Sequence, residues 1–217
     1  MTRTPKKVRS VGIHIHGNAA HNVGILAAIG GLVVNWGNNE SVFLAMLQTL
    51  VKGAKLTAAI IWQSQKTSRP RLDLVARLAR EQIKDAKLIE DIEEAIHIFS
   101  GLSRARNFYC HATYDHRMPD GAIIGASAMT LSEEGDPLRS ETKHFDAGII
   151  NEINDTSMRL ALLNRELWNI VIRMQDALGV QLVRLPQWPG EDPQPPASHP
   201  PKNGGASPPE PPEQSQG

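Results

Sequence analysis

Apolar side chains recur at three- and four-residue intervals along four stretches of this chain, the spacing of one face of an α-helix. The first stretch, Val23 to Val51, carries Ile25, Ile29, Leu32, Trp36, Phe43, Leu47 and Leu50 on one face. Gly30, Gly31 and Gly37 interrupt it, each costing roughly 1 kcal/mol against alanine, and mark a kink or a close helix contact. A second helix is predicted from Arg71 to Ile83, with Leu72, Val75, Leu78, Ala79 and Ile83 inward. Its Arg69, Arg71, Arg77, Arg80 and Lys84 read as a solvated basic face. A third runs from Ala86 to Thr113 on Leu88, Ile92, Ala95, Phe99 and Leu102, with acidic first turns that suit the positive end of a helix dipole. The fourth starts at Asp146, a good N-cap, and reaches Leu178. Leu56 to Gln63 is apolar and fits either a short helix or a loop packed on the core.

The period changes between the third and fourth helices. Met118-Pro119-Asp120-Gly121 is a turn signal, and Ala122 to Leu131 and Leu138 to Phe145 read as two strands joined by Ser-Glu-Glu-Gly-Asp-Pro. The expected fold is mainly α, a helical bundle of about four long helices with a small β-hairpin insert near residues 122–145. The folded domain is expected over residues 23–180, after a basic mobile leader at 1–22. Residues 186–217 hold eleven of the fifteen prolines and are expected to be a disordered tail, because they lack the apolar surface that offsets ordering entropy.

Basic and acidic residues balance at 23 each, which argues against coating of duplex nucleic acid while leaving room for a local basic groove. The single cysteine, Cys110, excludes an intrachain disulfide and fits a reducing compartment. No apolar core follows the N-terminal charges, so no secretory signal is expected. The longest apolar stretch, Val23 to Val34, is too short to span a bilayer, so no membrane association is expected and the expected location is the cytoplasm. His14, His16 and His21 have a spacing that zinc ligands can take, but no cysteine or carboxylate completes a set, and neither metal nor cofactor is expected.

The chemically pointed run is Arg106-Asn107-Phe108-Tyr109-Cys110-His111. At about 100° per residue, Arg106 falls at the centre of the apolar stripe, while Asn107 and His111 stack on an adjacent flank. A buried guanidinium needs a partner, and Glu40 sits similarly inside the stripe of the first helix. One reading is therefore a structural Glu40–Arg106 ion pair in a non-catalytic protein-interaction module. The other is that the stripe ends at a cleft where Arg106, Asn107 and His111 face a substrate. Histidine can exchange a proton near neutral pH, arginine can stabilise charge on a phosphoryl oxygen, and an RNA 2′-hydroxyl supplies an internal nucleophile. Tyr109 and Tyr114 can be read as base-stacking residues or as core.

Arg-Asn followed by three residues and His at the end of a helix resembles the HEPN domain, whose signature is Arg-x(4–6)-His. The resemblance extends over residues 23–178 through an early helix with an inward acid in Trp36-Gly-Asn-Asn-Glu40, a basic helix, a strand insert and a long closing helix. It implies Arg106 and His111 as a catalytic pair, Asn107 assisting, Glu40 holding the arginine and Tyr109 supporting. It further implies a homodimer, RNA as a partner, and metal-independent endoribonuclease activity in a toxin or defence system with an antitoxin or nucleotidyltransferase alongside. Many relatives have glycine after the histidine, where this chain has Ala112-Thr113.

Overall fold

The computed structural model describes residues 19–118, 120–130 and 139–184. The leader up to residue 18, the loop joining the last two strands and the Pro-rich tail lie outside the described residues, with His14 and His16. Five helices and a three-stranded sheet follow in order: α1 (Ala19–Leu50), α2 (Lys55–Ser64), α3 (Ser68–Gln82), α4 (Ala86–His111), β1 (Thr113–His116), β2 (Ile123–Thr130), β3 (Arg139–His144) and α5 (Ile149–Leu178). The fold is mainly helical, and the stretch around Leu56 is a helix rather than a loop.

α1 and α5 pack parallel. Asn35 Nδ2 donates to Ser157 Oγ at 2.8 Å, and one turn on Asn39 Nδ2 donates to the Leu160 carbonyl at 2.9 Å. The glycines of α1 divide by face. A Cβ on Gly24 would stand 3.0 Å from Ile150 Cδ1 and one on Gly31 3.6 Å from Ser157 Oγ, so these two permit close approach of α5, whereas Gly30 and Gly37 face open space. α4 runs antiparallel to α5, with Arg173 bonded to Asp91 near one end and Tyr109 to Glu152 near the other. The core between them centres on Phe99, stacked on Trp36 at 4.0 Å and tilted against Phe43 at 5.2 Å. After α5, Gly179 takes the left-handed conformation (φ 64°) that ends the helix, and Gln175 Oε1 accepts the Leu182 and Val183 amides.

Several boundaries differ from the sequence expectation, among them the start of α3, which is Ser68 and not Arg71. α4 ends at His111, not Thr113, because Ala112 turns extended and Thr113 and Tyr114 enter a strand the periodicity did not show. The insert is thus a three-stranded antiparallel sheet in the order β1-β2-β3, not a two-stranded hairpin. The N-cap of α5 is Gly148 rather than Asp146; the Asp146 carboxylate instead accepts the Gly148 amide at 2.8 Å, two residues along. α1 also begins earlier than its stripe, at Ala19. Its polar residues and glycines do not break it, so by length and composition alone it is long and apolar enough to cross a membrane, contrary to the expectation from Val23 to Val34. Yet Ile25, Leu32, Trp36 and Phe43 on one side are buried in the core.

The sheet is held to α1 by two neighbouring side chains. Asn22, buried, donates to the Gly121 carbonyl and accepts the Ile123 amide, both at 2.9 Å, as a strand neighbour would. His21 Nε2 donates to the Ile123 carbonyl at 3.0 Å, so this histidine anchors the sheet.

Candidate functional site

The last turns of α4 place the Arg106–His111 run where the helix leaves the core and meets the sheet. Arg106 is half-buried, Phe108 and Tyr109 are buried, and Asn107, Cys110 and His111 are exposed. The expected flank is therefore real as a surface: Asn107 and His111, one turn apart, both face solvent.

The expected Glu40–Arg106 pair does not form. Glu40 accepts the Ser68 hydroxyl at 2.6 Å, at the first residue of α3, and lies 3.8 Å from Arg71. Arg71 in turn donates from Nε to the Trp62 and Gln65 carbonyls, each at 3.1 Å, and stacks on the Trp62 ring. Glu40 does meet a cation, as its place on the stripe suggests, but α3 supplies it. Arg71, counted with the solvated basic face, is an internal tie of α1, α2 and α3.

Arg106 is left with a different environment. Its guanidinium carbon lies 5.5 Å from the centroid of the Trp36 ring, and Nη1 donates to Asn107 Oδ1 at 2.9 Å. Its Nε is buried and has no acceptor, and the indole Nε1 of Trp36 is buried without one too. Among the described residues no carboxylate pairs with Arg106. The His111 imidazole makes no hydrogen bond or ion pair within the described residues.

Tyr109 is a structural member of the run. It is 2 % exposed and cannot stack on a base; its hydroxyl donates to Glu152 at 3.1 Å. Lys143 pairs closely with Glu152, reaches the Tyr109 hydroxyl at 3.5 Å, and lies 5.3 Å over both the Phe108 and Tyr109 rings. Burial, and then the Glu152 charge, hold the Tyr109 hydroxyl well above its ordinary range. Tyr114 donates to the Tyr109 carbonyl at 2.6 Å, and burial pushes its own hydroxyl up to about 12. The two tyrosines thus lock the end of α4 to β1, β3 and α5. Trp36, Lys143 and Glu152 escape sequence reasoning. Trp36 passes as core on its stripe, and nothing local marks the other two.

No family model, curated protein or solved structure matches the chain. An arginine without a carboxylate partner among the described residues can receive an anionic oxygen, and an exposed imidazole at the end of the same helix can exchange a proton.

Proposed function

We propose that this chain is a HEPN-like bundle that binds RNA or another nucleotide-bearing ligand at the C-terminal end of α4 and cleaves RNA there. The observation that carries the reading is Arg106. A half-buried guanidinium with no carboxylate partner among the described residues is costly in the free protein, and a phosphoryl oxygen supplies the missing charge. In this account His111 takes the proton of a 2′-hydroxyl as its oxygen bonds to the adjacent phosphorus. The phosphorus–5′-oxygen bond breaks, and the departing oxygen collects a proton from water. Arg106 holds the non-bridging oxygens as charge builds on them, and Asn107 positions Arg106 through their shared hydrogen bond. A toxin or defence role, with an antitoxin or nucleotidyltransferase partner, belongs to the same proposal through the family resemblance.

The rival, a non-catalytic interaction module, draws on a structural Glu40–Arg106 pair, and Glu40 is engaged by Ser68 and Arg71 instead. Incubating the full chain with labelled single-stranded RNA separates the readings. The nuclease account expects cleavage to products with 2′,3′-cyclic phosphate ends, lost in His111→Ala while that variant melts like the parent. RNA left intact by the parent protein under all ionic conditions would remove the catalytic part.

A further inference from the structure

α4 carries its charges in two blocks. Its first turns hold Glu90, Asp91, Glu93 and Glu94; from Ala95 to His111 no Asp or Glu follows, while Arg104 and Arg106 do. The two arginines do not share a side of the helix. At about 100° per residue, Arg106 sits about 140° round from His111, over Trp36, with Asn107 between them. Arg104 stands within about 20° of His111. The flank that exposes the imidazole therefore carries a second cation, and it is not the arginine that the Arg-Asn…His spacing singles out. The Arg104 side chain is 84 % exposed and reaches across to β3, where Nη2 donates to Glu141 at 3.1 Å. An ion pair this open contributes little to stability and is readily exchanged for a better acceptor.

We infer that Arg104 is a further substrate-contacting residue, holding a phosphate of the bound RNA strand beside the one that Arg106 and His111 engage. The inference rests on the RNA reading of the α4 end and deepens it. Two turns of helix, about 10 Å along the axis, separate Arg104 from His111, so it serves a phosphate other than the scissile one. A planar guanidinium can give two parallel bonds to one phosphate, whereas Glu141 accepts a single bond from it. Glu141 is then a competitor for Arg104, displaced as the strand arrives. The acidic block at Glu90, Asp91, Glu93 and Glu94 repels a polyanion from the other half of α4, which keeps the strand on the last turns. A purely structural Arg104–Glu141 tie between α4 and β3 makes the opposite claim about Glu141, because losing either partner of a tie harms the site alike.

Binding of a labelled single-stranded RNA to the full chain, followed by anisotropy over a range of salt concentrations, tests it with three variants. Arg104→Ala is expected to weaken binding about tenfold and to lower the salt slope by about 0.7, the share of one neutralised phosphate. Arg104→Lys is expected to keep the slope, since the charge stays, and to lose part of the affinity with the planar fork. Glu141→Gln is expected to tighten binding, because the competing carboxylate is gone. All three are expected to melt close to the parent, as the exposed pair holds little. An Arg104→Ala chain that binds RNA with the parent's affinity and slope would overturn the proposal and leave Arg106 in its role. Glu141→Gln weakening binding as much as Arg104→Ala would also overturn it, assigning the pair to holding β3 on α4. A parent that binds no RNA would remove the proposal together with the RNA reading beneath it.

Discussion

Arg106 lies on the indole of Trp36, 5.5 Å from the ring centroid, and not beside Glu40. The indole meets the face of the guanidinium; of its edge donors, Nη1 goes to Asn107 and Nε is buried without an acceptor. The arrangement therefore separates two tasks that the helical periodicity places on one pair. Glu40 and Arg71 tie helices together, and Arg106 pairs with neither of them.

That separation is measurable by double-mutant cycle. Glu40→Ala and Arg71→Ala should be coupled by about 0.5–1 kcal/mol in urea unfolding, the range for a partly buried ion pair. Glu40→Ala and Arg106→Ala should add to within about 0.5 kcal/mol, as expected of residues that do not touch. Strong coupling between Glu40 and Arg106 would restore the structural pair.

Asn22→Ala should cost about 2–4 kcal/mol, since it strips partners from the Ile123 amide and the Gly121 carbonyl at once. Hydrogen exchange gives the sharper check: the Ile123 amide should lose its protection while amides in the middle of α5 keep theirs.

Alkaline stability follows from Tyr114. Its hydroxyl ordinarily ionises near 10 and in the folded chain near 12, so the unfolded chain gives up the proton first. The stabilisation is whole below pH 10 and is lost as pH rises from about 10 to 12. Tyr114→Phe should flatten the fall in melting temperature across that window, and a curve as steep as the parent's would place the effect elsewhere.

The long helices are legible in the sequence because each buries one stripe, and Leu88, Ile92, Ala95 and Phe99 announce α4 without reference to anything outside it. β1 is not legible. Thr113 and Tyr114 continue α4 without a break signal, and what makes them a strand is pairing with Ser127 and Ala126 across the turn. The candidate site splits along the same line. Arg106, Asn107 and His111 can be named from spacing alone. Trp36 beneath Arg106, and Lys143 with Glu152 around Tyr109, depend on which helix meets which, information that no local pattern holds.

The central claim, that Arg106 is held open for an anionic oxygen, is tested most directly by fluorescence anisotropy of a labelled single-stranded RNA, measured for the parent and for Arg106→Ala over a range of salt concentrations. The account predicts that Arg106→Ala weakens binding about tenfold or more with the fold intact, and lowers the salt slope by about 0.7, the share of a single neutralised phosphate. An Arg106→Ala chain that binds as tightly as the parent, with the same salt dependence, would contradict it.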